Sequence, residues 1–113
     1  MGRRDDLIAL YASELREKCG VTPDMALLTK VTLGLGPAVY REDATLVAAS
    51  DPEELARIRA GYLVKKLGLA EGPALDARIE KAIDTYGRSN RSKHRAVFYY
   101  LLATHFGRGA AYA

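Results

Sequence analysis

The residues best suited to chemistry lie in one basic stretch, residues 88–95 (RSNRSKHR), which contains four strong bases and a histidine. A helix N-terminus carries partial positive charge, so each cation placed there costs a few tenths to about 1 kcal/mol. Carboxylates of the protein could offset this charge, or an external phosphate could, because free N–H groups and cations both favour an anion there. The candidate anion-binding residues are Arg88, Ser89, Asn90, Arg91, Lys93 and Arg95.

The histidines and the cysteine predict neither a metal site nor a nucleophile. His94 and His105 lie on one predicted helix, ~16 Å apart at 1.5 Å per residue, which is too far for a single metal ion. Cys19 precedes Gly20 at a predicted helix C-terminus, where the helix dipole disfavours a thiolate, so a structural cysteine is expected. We therefore expect no catalytic residue, no metal and no cofactor.

Five helices joined by short links are predicted to position these residues. Apolar side chains recur at helical spacing over residues 5–19, 23–35, 51–67, 73–86 and 90–106. The strongest helix start is at residues 50–54, where two capping boxes overlap around Pro52. Capping alone accounts for the acidic residues Asp51, Glu53 and Glu54.

Two further helix starts are predicted from local residue types. Thr22 is expected to cap the second helix, with Pro23 in its first position, where a missing N–H costs nothing. Ser89 or Asn90 is expected to cap the last helix. Under this interpretation the basic stretch is the N-terminus of that helix.

The pattern predicts an all-α, compact single-domain bundle spanning residues 1–113. The last helix is apolar nearly all round, with residues 96–103 forming an unbroken run, so it should be central and covered by the others. Residues 45–49 could be extended or helical, but a lone short strand has no partner and is discounted. Residues 108–113 are predicted to be a loose tail.

Composition indicates an ordinary globular protein, with 49% hydrophobic and 27% charged residues. A single cysteine excludes an intrachain disulfide and fits a reducing compartment. No targeting segment is apparent, and the longest apolar run falls far short of the ~20 residues of a membrane span, so we expect a soluble cytoplasmic protein without a membrane partner. Residues 1–55 carry 6 bases and 10 acids (−4), whereas residues 56–113 carry 11 bases and 4 acids (+7), which permits an anionic partner.

Two blocks of the sequence resemble a small bacterial family, domain of unknown function 2853. The first is residues 50–57 (SDPEELAR) continuing to 65–69 (KKLGL), and the second is 89–93 (SNRSK) continuing through 95–102 (RAVFYYLL). The resemblance covers about residues 43–106, and His94 stands where a tyrosine is expected. It implies a small helical protein. Because the family has no assigned activity, it supplies no catalytic residue.

The sequence favours a non-catalytic interaction module with a protein partner, since no catalytic constellation is present. The alternative is binding of nucleic acid or another anion through residues 88–95. Helices 73–86 and 90–106 have a helix-turn-helix-like layout, and their connecting residues suit phosphate and base-edge contacts. A phosphorylated small ligand at the same residues is the third hypothesis.

Overall fold

The computed structural model describes residues 2–107 and 109–112, with side chains at all of these positions except 42, 43, 109 and 110. The described residues form α1 (Arg3–Glu17), α2 (Met25–Leu35), α3 (Glu42–Thr45), α4 (Pro52–Arg57), α5 (Pro73–Tyr86) and α6 (Arg95–His105). α4 continues directly into a π-helix, Ile58–Lys66, and short 3-10 helices occupy Gly36–Tyr40 and Gly109–Tyr112. The predicted all-α bundle of five long helices is confirmed.

The core is built around α6, as predicted. Seven of its eleven residues are buried, because it packs against α1, α2 and α5. The buried residues of α6 are Ala96, Val97, Phe98, Tyr100, Leu101, Leu102 and Ala103. Tyr100 also accepts a hydrogen bond from the backbone N–H of Asp24 at 2.8 Å, which fixes the start of α2 against α6.

The start of α2 differs from the prediction, whereas the start of α4 is as predicted. α2 begins at Met25 and not at Pro23, because the carboxylate of Asp24 accepts the N–H of Leu27 and so provides the cap assigned to Thr22. α4 is capped by Asp51, which accepts the N–H of Glu53 at 3.0 Å, with Pro52 in the first position.

The start of the last helix is the larger correction. α6 begins at Arg95, five residues later than expected, and its N-cap residue His94 makes no side-chain capping bond. Asn90 serves a local turn instead, because its side-chain oxygen accepts the N–H of Ser92 at 2.9 Å. Residues 88–93 therefore form a loop, here called the basic loop.

A short extended segment, residues 46–48, crosses beside the basic loop and leads into a turn at residues 49 and 50. Leu46 and His94 form one isolated antiparallel bridge, and the N–H of Val47 donates to the carbonyl of Lys93 at 2.8 Å. The short extended conformation that was discounted thus finds a partner immediately before α6. This bridge places residues 46–50 along one side of the basic loop.

The predicted loose tail is wrong for the residues that the structure describes. Tyr112 lies within the 3-10 helix Gly109–Tyr112, and its hydroxyl is 2.7 Å from that of Tyr62. Arg108 and Ala113, also assigned to the tail, lie outside the described residues. Gly107 is the expected end of α6, with a φ of +64° that favours glycine. Within the described residues, no helix is both long and apolar enough to cross a membrane.

Candidate functional site

The basic loop begins where Gly87 ends α5 with a φ of +105°, a conformation that L side chains rarely adopt. The backbone N–H of Asn90 then donates to the carbonyl of Gly87 at 2.9 Å. This turn and the Asn90 to Ser92 bond fold the loop back toward residues 46–50. The loop is consequently a fixed structure rather than a frayed helix end.

Arg88 is neutralised by the helix that precedes it. Its guanidinium donates to Asp84 and to Glu80 of α5, both at 2.6 Å. These hydrogen bonds raise the pKa of Arg88, and the same contact lowers the pKa of Asp84. The three side chains are well exposed, so the pairs orient Arg88 more than they stabilise the fold.

Lys93 is buried at the base of the loop, with 2% of its surface exposed. Its ammonium donates to the carbonyl of Arg88 at 3.3 Å and to that of Asn90. Among the side chains that the structure describes, no carboxylate forms an ion pair with it. Burial, followed by repulsion from Arg88, lowers the pKa of Lys93. The loop therefore holds a desolvated positive charge that only neutral carbonyls solvate.

Arg95 has turned away from the other bases. It forms an ion pair with Glu54 of α4, and it also donates to the carbonyls of Ala44 (2.8 Å) and Leu46 (3.3 Å) and to the hydroxyl of Tyr99 (3.2 Å). Glu54 is buried, with 7% exposure, and lies in the first turn of α4 as predicted, but its ion pair with Arg95 means that capping alone does not account for it. The sequence left open whether carboxylates of the protein offset the charge of the basic stretch. For Arg95, this ion pair does so.

A pocket of about 650 Å³ opens between the basic loop and residues 47–50. One side carries bases, hydroxyls and an amide, while the other side is apolar. Its described lining consists of Arg88, Ser89, Asn90, Arg91, Lys93, Ser50, Val47, Ala48, Ala49 and Ile83. No carboxylate belongs to that lining, so the pocket is electropositive.

Two further donors belong to residues that line the pocket and have no acceptor among the described residues. The side-chain nitrogen of Asn90 is buried and has no acceptor among the described residues. Its orientation is fixed, since its side-chain oxygen already accepts the N–H of Ser92. Arg91 is exposed and forms no side-chain contact within the described part of the chain. The three residues that carry the unsatisfied amide, the unpaired guanidinium and the buried ammonium, Asn90, Arg91 and Lys93, all line the same cavity.

The structure brings together five of the six predicted anion-binding residues and excludes Arg95. The opposite wall, residues 47–50 with Ile83 from α5, was not predicted as part of a site. The sequence feature that could have indicated this wall is the short apolar segment at 45–49. The pairing of that segment with residues next to α6 depends on the tertiary fold.

A second polar cluster lies beside the loop, on its α1 side. The hydroxyl of Tyr86 donates to Glu14 at 2.9 Å and accepts the N–H of His94 at 3.1 Å, while the His94 ring lies 5.4 Å from that of Tyr11. Burial, together with Lys18, lowers the pKa of His94 and outweighs the opposing effect of Glu14. This cluster therefore ties α1 and α5 to the start of α6 with a neutral imidazole.

The geometry gives Cys19 no nucleophilic character. Burial, reinforced by the carboxylate of Glu14, raises the pKa of its thiol to about 11. Within the described residues, no group of three or more His, Cys, Asp and Glu side chains could hold a metal ion. Bases, hydroxyls and an amide line the polar side of the pocket, and its described lining contains no carboxylate.

Comparison with known protein families matches residues 10–110 to the model described as protein of unknown function, DUF2853. This match extends the resemblance seen in the sequence across α1 and α2. A search of curated proteins finds no match.

Proposed function

The chain belongs to the DUF2853 family, whose function is unknown, and we propose from its pocket that it is a non-catalytic module that binds small anions. The observation that carries the proposal is Lys93, a buried cation without a carboxylate partner on the wall of an open pocket. A desolvated charge is unfavourable until a counter-charge reaches it. A bound anion would supply that counter-charge.

The remaining donors complete an anion site in the proposal. The Asn90 amide and the Ser50 and Ser89 hydroxyls are neutral donors, and the Arg91 guanidinium supplies a second unpaired charge. Hydrogen bonds in which one partner is charged are roughly twice as strong as neutral ones. An anion placed among these groups would accept from several preformed donors with little rearrangement of the loop.

Nucleic acid is less well matched to this surface than a small anion. Lys93 is buried and Arg95 is paired with Glu54. A duplex lying across the loop would therefore contact Arg88 and Arg91 as the remaining basic side chains of the loop. Arg88 is already paired with two carboxylates. The N-terminus of α6 is bridged to Leu46, which hinders its entry into a major groove.

Titration with inorganic phosphate, at constant ionic strength, tests the proposal. We expect saturable chemical-shift changes in the amide signals of residues 88–93 and 47–50, together with a raised melting temperature. Lys93→Met should weaken phosphate binding by about tenfold or more, since it removes the central charge. Lys65→Met, which removes an exposed lysine of the π-helix, is the matched control and should bind like the native protein.

Equal phosphate affinity in the native protein and Lys93→Met would overturn the proposal. So would saturable binding of a DNA duplex that is lost in Arg91→Ala but unchanged in Lys93→Met, if phosphate itself does not bind. That second result would assign the loop to nucleic acid.

A protein partner is the second candidate, and exposed apolar side chains favour it. Large apolar residues of α1, α2 and the following 3-10 helix are 37–49% exposed: Leu10, Met25, Leu33 and Tyr40. Sedimentation analysis of the native protein and Leu33→Ser would test self-association through this surface. A native monomer at all concentrations would exclude a second copy of the chain as the partner.

A further inference from the structure

The pocket has two chemically different sides. The basic loop supplies the charged and polar donors, whereas Val47, Ala48, Ala49 and Ile83 supply an apolar surface. Val47 and Ile83 are buried core residues, so this surface is rigid. A ligand that fills the cavity would touch both sides at once.

The volume is also informative. About 650 Å³ lies within the range of pockets that hold drug-sized ligands, roughly 300–1,000 Å³, and far exceeds what a bare phosphate ion requires. A lone phosphate at the donors would leave the apolar side in contact with water. The cavity therefore fits a larger molecule than its charged groups alone would select.

We infer that the ligand is a small organic anion, with a phosphate or carboxylate head held by Lys93, Asn90 and Arg91 and an apolar body held against Ala48, Ala49 and Ile83. This inference rests on the proposed function and adds the substrate class to it. The head supplies the counter-charge for Lys93, and the body removes the apolar side from water. The two small alanine side chains leave the space that the body occupies.

The inference makes Ala49 a specificity-determining residue. Ala49 is half-buried in the turn that follows the extended segment, and it lines the apolar side of the pocket. Ala49→Leu would fill part of the body's space without touching the charged donors of the basic loop. The substitution should consequently discriminate against organic anions and leave inorganic phosphate unaffected.

The experiment compares inorganic phosphate, phenyl phosphate, benzoate and the neutral benzyl alcohol by calorimetric titration of the native full chain. We expect phenyl phosphate to bind about tenfold or more tightly than inorganic phosphate, because the ring buries apolar surface. Benzyl alcohol should not bind measurably. Comparison of benzoate with phenyl phosphate then distinguishes a carboxylate head from a phosphate head.

The variants sharpen the result. Ala49→Leu should weaken phenyl phosphate by about tenfold and leave inorganic phosphate unchanged, while Ala70→Leu, in an exposed loop, is the matched control. A series of methyl, butyl and phenyl phosphates on the native protein provides the same test if Ala49→Leu does not fold. Affinity should rise along that series.

The outcomes separate the two proposals. Equal affinity for inorganic and phenyl phosphate, both lost in Lys93→Met, would overturn the organic-anion inference and leave anion binding intact. Binding of benzyl alcohol as tightly as phenyl phosphate would overturn the requirement for a charged head. Absence of binding by all four compounds would overturn both proposals.

Discussion

Lys93, which is buried, and Arg95, which is partly buried, stand two positions apart in the sequence and have different environments. Arg95 is paired with the buried carboxylate of Glu54 and also donates to two backbone carbonyls. Lys93 has backbone carbonyls alone. Since removal of Arg95 would take from the buried Glu54 the less exposed of its two arginine partners, Arg95 should matter for folding and Lys93 for binding.

The first prediction compares Arg95→Met with Lys93→Met by urea unfolding at neutral pH. Arg95→Met should lower the free energy of unfolding by about 1–3 kcal/mol, because the buried Glu54 keeps only its exposed partner Arg57, at 3.2 Å, among the described residues. Lys93→Met should leave that free energy unchanged or raise it by up to about 1 kcal/mol, because it relieves an uncompensated charge. Equal destabilisation by both substitutions would contradict this prediction and would mean that Lys93 stabilises the folded loop.

At the scale of elements, the helix after Asp51 changes its hydrogen bonding midway. It is α-helical to Arg57 and then a π-helix to Lys66, with the N–H of Leu67 donating to the carbonyl of Tyr62 at 2.9 Å. The sequence predicted a helix over 51–67 and could not predict this switch. Caps and apolar spacing indicate a helix, but they do not determine whether its backbone hydrogen bonds span four residues or five. The π-helix presents Tyr62, which stacks on Tyr99 of α6 with ring centroids 3.9 Å apart.

The second prediction concerns the two glycines of this element. Gly61 lies in the π-helix, where a methyl group in place of its hydrogen would meet nothing within 4 Å, so Gly61→Ala should raise the free energy of unfolding by about 0.5–1 kcal/mol. Gly68 ends the element with a φ of +71°, so Gly68→Ala should lower that free energy by about 1 kcal/mol. Thermal or urea unfolding measures both. Stabilisation by Gly68→Ala would contradict the left-handed turn.

For the whole molecule, one polar junction joins three parts of the chain. Tyr86 of α5 contacts Glu14 of α1 and the backbone of His94 before α6. His94 also packs on Tyr11. Its lowered pKa means that the folded protein holds this imidazole neutral at neutral pH. The stability of the bundle is therefore linked to pH through this junction.

The third prediction follows from that linkage. The pKa of His94 is lowered from its ordinary value of 6.5, so below that pH the unfolded chain binds a proton that the folded chain resists. Stability should be fully present above about pH 6.5 and fall as the pH decreases toward the folded pKa. His105 acts in the same direction. His94→Gln keeps the backbone bond to Tyr86 and should reduce the slope of urea midpoint against pH, and an unchanged slope would contradict this role of His94.

The sequence by itself determined the all-α class, the approximate extents of five helices and the central position of α6. These properties depend on apolar periodicity and on glycine and proline positions, which act locally along the chain. It also selected five residues that line the pocket.

The tertiary structure decided which bases are compensated, because Glu54 lies 41 positions before Arg95 and reaches it only in the folded chain. It also decided that Leu46 and Val47 pair with His94 and Lys93, while α6 begins at Arg95 and a cavity opens next to Lys93. Those contacts form between segments distant in sequence, where side-chain packing and desolvation, and not local propensity, select the partners.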